Sequence, residues 1–495
     1  MNQPNELAKV MAKIEPILPK HRDLYYGGKW HKPAGGHLNT WNPATGASLG
    51  PCAEANSADA DAAVRAAHQG FLEWRRLRPL ERAALLKRVA AVLRANAEEL
   101  AMIDAANCGN PVREMLNDAN AAATQIEFYA GLVTEIKGET IPMGEGVVNL
   151  SVREPYGVCL RIVAYNHPIM FTAGKMGPAL AAGNSVIMKP PYQAPLSAYR
   201  MMELLDGILP PGVLNIVTCG KEGSEALVAH PLVPRVSLIG SVPTGRAVAR
   251  ASAERLKHVT LELGGKNACI IYPDADLSRA IPGAVNGMNF TWCGQSCGST
   301  SRLFVHASVY ERVMAGIMEK IKFYRPGIPT DMDTTMGAII SKAQMDKVLG
   351  YVDIAKREGA QLACGGKQPD DPLLAKGFFV EPTVFTGVTQ KMRIANEEVF
   401  GPVLSVITWD DDEEGMFDQV NAVEYGLTGA IWTASLANAH RAASRIESGY
   451  VWVNNVSSHF PGASFGGYKQ SGIGREEGYD ELLTYTQTKN INIML

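Results

Sequence analysis

From residue 147 onward, short apolar runs alternate with helical stretches, and this alternation limits the fold more than any other feature. The runs VCLRIVAY (158–165), SVIMKP (185–190), VLNIVT (213–218) and RVSLIGS (235–241) have the length and composition of buried strands. Between them lie FTAGKMGPALAAG, PLSAYRMMELLDGIL and GSEALVAH, segments suited to helical crossovers. Strands joined by helical crossovers pair in parallel, so the pattern predicts a doubly wound α/β sheet that binds ligands at the carboxyl ends of its strands. A second series, HVTLELGG, ACIIY, SRLFVH, VLSVITW, GAIWT and YVWVN, predicts a second α/β unit, with the junction near Thr260. Ahead of both, residues 57–133 carry helical periodicity, with Ser57, Asp59 and Asp61 as cap and first-turn acids.

Length and charge narrow the function classes. A chain of 495 residues exceeds one simple core, so two or three structural units are expected. The net charge of −3 gives no electrostatic case for nucleic acid or an anionic membrane surface as the main partner. No apolar run approaches the roughly 20 residues of a membrane-spanning helix. The opening MNQPNELAKVMAKIEPILPKH lacks the pattern of a cleaved leader. Eight scattered cysteines read as reduced thiols rather than a disulfide framework. A cytoplasmic protein is the expectation.

Several segments carry chemistry, each ambiguous alone. Asn166, after the strand RIVAY, projects where a side-chain amide can donate to an oxyanion, or simply satisfies a turn. Lys189 ends SVIMK at a position suited to ribose hydroxyls or phosphate, and equally to a solvated lysine. Gly240-Ser241 precedes a helix starting near Pro243, and a helix N-terminus holds phosphate. The spacing to Gly245 is not G-x-G-x-x-G, so the usual dinucleotide fingerprint is absent. Glu262 sits in an apolar strand, where desolvation raises a carboxyl toward the range of a general base, unless a buried cation pairs with it. In TWCGQSCGSTSR, Cys293 and Cys297 lack the second ligand pair of a zinc site and the C-x-x-C spacing of a redox pair. Small and polar neighbours around Cys297 suit an accessible thiol. No metal is expected.

Taken in order, YNHP, GPALAAGNSVIMKP, GSVPTG, LELGGKNA, GQSCGSTSR, EEVFGPV and FGGYKQSGIGREEG resemble the aldehyde dehydrogenase superfamily over nearly the whole chain. The resemblance implies a Rossmann-type cofactor domain (1–130 and 150–259), an α/β catalytic domain (260–475) and a small β oligomerisation arm (131–149 and 476–495). It implies NAD(P)-dependent oxidation of an aldehyde, with NAD or NADP as cofactor, by a homodimer or homotetramer. Cys297 matches the nucleophile, Glu262 the base that hydrolyses the thioester, Asn166 the oxyanion donor and Lys175 a lysine beside it. Lys189, Tyr192, Gly240, Ser241, Gly245, Glu398, Phe400 and Tyr165 match cofactor-binding positions. His167, Phe171, Gly174, His459 and Phe465 match the substrate pocket. Cys293 is left to packing, or to a reversible disulfide with Cys297. The alternatives are a CoA-acylating relative, which generally lacks the glutamate of LELGG, and a non-catalytic protein on the same fold.

Two departures from the family pattern bear on specificity. Where KPSE is frequent this chain has KPPY, so Tyr192 replaces a glutamate that binds adenosine ribose and repels a 2′-phosphate. Tolerance of NADP beside NAD follows. Before Lys175, Gly174 replaces the aromatic or arginine that suits quaternary ammonium or carboxylated aldehydes. That glycine predicts an open pocket and a bulky, aromatic aldehyde.

Overall fold

The computed structural model describes residues 11–495, so the first ten residues of the opening segment and of the cofactor domain lie outside it. Two large sheets carry the two strand series. The first runs in the spatial order Lys29–His31, Leu24–Tyr26, Leu214–Ile216, Ser185–Lys189, Val158–Ile162, Arg235–Ile239, His258–Glu262, Gly472–Ile473. Its five central strands are parallel, and antiparallel strands close both edges. Sequence order reverses between Val158–Ile162 and Arg235–Ile239, which makes the crevice beyond their carboxyl ends the natural ligand site. Both strands are buried throughout, as a sheet covered on two faces requires.

The second sheet runs Gln361–Cys364, Thr383–Thr386, Val403–Trp409, Arg302–His306, Ala268–Ile271, Thr428–Trp432, Tyr450–Val453, parallel except at the first pair. The strand His258–Glu262, expected to open this series, lies instead in the first sheet, paired along its whole length with Arg235–Ile239. It straddles Thr260, so the sheets part between Glu262 and Ala268. Four helices, Ser57–Trp74, Pro79–Ala95, Ala97–Cys108 and Val112–Gly131, fill the region read as helical. The first is capped by Asn56, not Ser57, in a reciprocal capping box with Asp59.

A third, three-stranded sheet pairs Thr486–Met494 with Val147–Pro155 over nine residues, with Thr140–Ile141 on the far side. The arm's first half was expected to end at 149, but its long strand runs on to Pro155. Residues 476–485 are not part of this sheet. The helix Tyr479–Thr484 places Glu481 against Arg161 of the first sheet. No helix among the described residues is long and apolar enough to cross a membrane.

Candidate active site

Cys297 sits in a loop between the 3-10 turn Phe290–Trp292 and the strand Arg302–His306. Asn267 pins this loop: its Nδ2 donates to the carbonyls of Cys297 (2.7 Å) and Ser299 (3.0 Å), while its Oδ1 accepts from Thr428 N–H. Of the two cysteines, Cys293 is 1 % exposed in the core of the second sheet, whereas Cys297 is partly open and lines a cavity of about 480 Å³. Both thiols are free, and the segment joining them is not helical. Burial, reinforced by the carboxyls of Glu262 and Glu398, pushes the Cys297 thiol up to about 12.

The cavity is rich in aromatic rings. Phe128, His167, Phe171, Trp292, Trp452, His459 and Phe465 line it with Cys297. Gly174 does not open onto it. The place of its missing Cβ is filled by the Gln125 side chain, which lines the cavity in its stead. The expected opening is therefore refilled from the helix Val112–Gly131, a contact 49 residues distant in sequence and invisible to local pattern.

Glu262 ends its strand 5 % exposed, and neither carboxyl oxygen has a hydrogen-bond partner among the described residues. Burial holds its pKa well above the usual carboxylate range. Glu476 and Glu477 push the same way, and Lys175 and Arg475 oppose them. Lys175 is not free beside an oxyanion: its Nζ lies 3.0 Å from Glu476 Oε2 and 3.4 Å from Glu477 Oε1. Glu476 also pairs with the buried Arg161 at 2.9 Å. This ion cluster ties the C-terminal segment to the first sheet. Glu476 and Glu477 lie within the GREEG motif, yet nothing local in that motif points to Lys175.

Asn166 is buried, and its carbonyl accepts from Asn110 Nδ2 (2.7 Å), while its side-chain amide makes no hydrogen bond among the described residues. Neither Asn166 nor Glu262 lines the aromatic cavity itself; Cys297 does.

The crevice at the reversal of strand order collects the remaining residues. Lys189 ends the strand Ser185–Lys189, 8 % exposed and without an ion-pair or hydrogen-bond partner among the described residues. Ser241 is the N-cap of the helix Val242–Ala253, so Pro243 is the second helical residue. A Cβ at Gly245 would lie 2.6 Å from Leu263, so glycine there lets the helix approach the strand end. Glu398 accepts from Gly265 N–H (2.9 Å), and Gly264 leaves room for its carboxylate. Tyr165 meets Phe400 edge-on at 6.0 Å, and Phe400 holds a left-handed φ of 54°. Tyr192 is exposed. An unpaired lysine, a helix N-terminus capped by the Ser241 hydroxyl and an acceptor carboxylate form a set that fits a dinucleotide's ribose hydroxyls and pyrophosphate.

The sequence profile of the aldehyde dehydrogenase family matches residues 30–491. The chain belongs to that family. This aldehyde dehydrogenase is 49 % identical to the aldehyde dehydrogenase tropH of Talaromyces stipitatus, over 99 % of this chain and 96 % of the relative. Among solved structures it is similar to the NAD+ complex of the Bacillus cereus aldehyde dehydrogenase (TM-score 0.94, 39 % identity, 98 % of both chains). It is also similar to the P. syringae indole-3-acetaldehyde dehydrogenase in complex with NAD+ and IAA (TM-score 0.95, 36 % identity, 99 % of both chains). The expected fold and enzyme class therefore hold: this is an oxidoreductase acting on an aldehyde group, built on the two-sheet α/β architecture with a β arm.

Proposed function

We propose that this enzyme oxidises an aldehyde to its carboxylic acid with NAD or NADP, through a thiohemiacetal and a thioester on Cys297, and that the preferred aldehyde is bulky and aromatic. The observation that carries this reading is the placement of Cys297: it is the one cysteine lining the ring-walled cavity among the described residues. Burial and the neighbouring Glu262 and Glu398 carboxyls hold its thiol near 12. The thiolate sulfur attacks the carbonyl carbon, and Asn166 Nδ2 with the Cys297 backbone N–H donates to the oxygen that becomes negative. A nicotinamide dinucleotide, when bound, supplies the hydride acceptor that turns the thiohemiacetal into a thioester. Glu262, desolvated and without a partner, then takes a proton from the water that displaces the thiolate and releases the acid.

Lys189, the Ser241 hydroxyl at its helix N-terminus and Glu398 suit the cofactor's adenosine ribose, pyrophosphate and nicotinamide ribose. With Tyr192 in place of a carboxylate, nothing at that position repels a 2′-phosphate. The test is purified enzyme with each cofactor against aliphatic, aromatic, amino and carboxylated aldehydes, with product analysis in the presence and absence of CoA. Free acid from aromatic aldehydes is the expected result. Acetaldehyde outperforming benzaldehyde rejects the substrate class, and a CoA thioester product rejects hydrolysis.

A further inference from the structure

Two histidines in the cavity are held by carboxylates, and the reaction above uses neither. His167 Nδ1 lies 2.8 Å from Asp118 Oδ2, and His459 Nδ1 lies 3.1 Å from Glu477 Oε2. All four residues line the cavity with Cys297. An ionised carboxylate only accepts, so each Nδ1 carries the hydrogen and each Nε2 of a neutral ring is left as a bare acceptor. Glu477 is held ionised chiefly by the Lys175 ammonium, well below the ordinary carboxylate range. Neither Nε2 has a hydrogen-bond partner among the described residues.

The surroundings of these acceptors are flat and apolar. Phe171 meets His167 edge-on at 5.2 Å, with Trp292 at 5.7 Å. His459 stacks on Tyr450 and lies 4.9 Å from Phe465. No lysine or arginine lines the cavity among the described residues, while Glu114, Asp118 and Glu477 do. A carboxylated aldehyde meets only like charge there. A quaternary ammonium has no hydrogen to give to Nε2. A phenolic hydroxyl has one, on a ring that fits aromatic walls.

We propose that His167 and His459, each oriented by its carboxylate, act as acceptors that select an aromatic aldehyde carrying a ring hydroxyl. The inference rests on the aromatic reading of the pocket and names the group that a favoured ring bears.

The test compares kcat/KM for 3- and 4-hydroxybenzaldehyde with the matching methoxybenzaldehydes, which keep the oxygen and lose the donor. A preference of about tenfold for a hydroxyl is expected in the wild type. The ratio should fall to about one in His167→Phe or His459→Phe, and shrink in Asp118→Asn, where an amide that can donate to Nδ1 as well as accept from it no longer fixes the tautomer. Because each ratio is taken within one variant, a general loss of activity does not mimic the effect. A wild-type ratio near one, or a ratio unchanged in both histidine variants, overturns the proposal. So does a trimethylammonium aldehyde turned over better than either phenol. If acetaldehyde outpaces every aromatic aldehyde, the aromatic reading itself has failed. If benzaldehyde beats acetaldehyde but the hydroxyl adds nothing, only the present inference falls.

Discussion

Lys175 Nζ lies 3.0 Å from Glu476 Oε2, and these two opposite charges pull the carboxyl of Glu262 in opposite directions: the lysine favours its ionised form and the glutamate disfavours it. A general base works deprotonated, so turnover limited by thioester hydrolysis rises with pH through the Glu262 pKa. Lys175→Met removes the stabilising cation and should move that acid limb to higher pH. Glu476→Gln removes a repelling anion and should move it lower. It also leaves Arg161 and Lys175 short of a partner, at a stability cost of about 3–5 kcal/mol. The kcat–pH profiles of both variants check the opposite signs, and shifts in the same direction would refute the assignment.

Glu262 should cost the folded protein stability. Its folded-state pKa lies above its unfolded value, so its contribution is fully present below about pH 4 and is lost as pH rises through the folded pKa. Glu262→Gln is therefore expected to melt a few degrees higher than wild type near pH 8, with the gap closing toward about pH 4. The same variant should acylate once and release no acid, because the thioester persists. Thermal melts at several pH values and mass spectrometry of the acylated chain read the two effects separately.

The two cysteines should part company under substitution. Cys297→Ala is expected to lose aldehyde oxidation by on the order of 10³-fold or more. Cys293→Ala removes a buried sulfur from the core and should lower Tm while keeping turnover within a few-fold. With its thiol near 12, Cys297 of the cofactor-free enzyme should alkylate about tenfold faster per pH unit between about pH 7 and 9, without a plateau. A plateau in that window would mean a thiolate already formed.

Cofactor choice is expected to turn on one exposed side chain, Tyr192. Tyr192→Glu places an acid where the 2′-phosphate of NADP is expected. The NADP to NAD ratio of kcat/KM should fall by about tenfold or more, through KM for NADP. An unchanged ratio would place the discrimination elsewhere.

What the sequence made readable was local. Strand segments such as 185–190 and 235–241 appear as Ser185–Lys189 and Arg235–Ile239, because apolar runs between turn signals need no distant partner to be recognised. The helical segment after Asn166 was less regular than its composition suggests, a π turn at Met170–Gly174 followed by Gly177–Ala181. Glu262, Asn166 and Cys297 stood out because strand ends and small-residue loops mark chemistry, and the order of motifs tied them together. Asp118, Gln125, Glu476 and Glu477 did not. Their meaning lies in contacts with His167, Gly174 and Lys175, and Glu476 reaches Lys175 across 301 residues of chain. Side-chain periodicity carries no trace of such pairings.

The arm gives the last prediction. Thr486–Met494 pairs on one side with Val147–Pro155 and leaves its other side unpaired, since it is the edge of a three-stranded sheet. Most of its residues are exposed, among them Ile493 and Met494. A nine-residue edge with open amides and carbonyls is a template for another chain, and folded proteins seldom leave one bare. A second copy of this chain is the simplest cover. Its strand can add to the free edge with the same residues on both sides, as a two-fold interface requires. Deleting residues 486–495 should therefore shift the enzyme to a smaller species by light scattering and strip Val147–Pro155 of a partner. Lys489→Pro is the milder test. It leaves the strand in place but removes one backbone donor and the Glu154 contact, so it should weaken assembly without abolishing the fold. A wild-type chain that stays monomeric at micromolar concentration would remove the arm's proposed role.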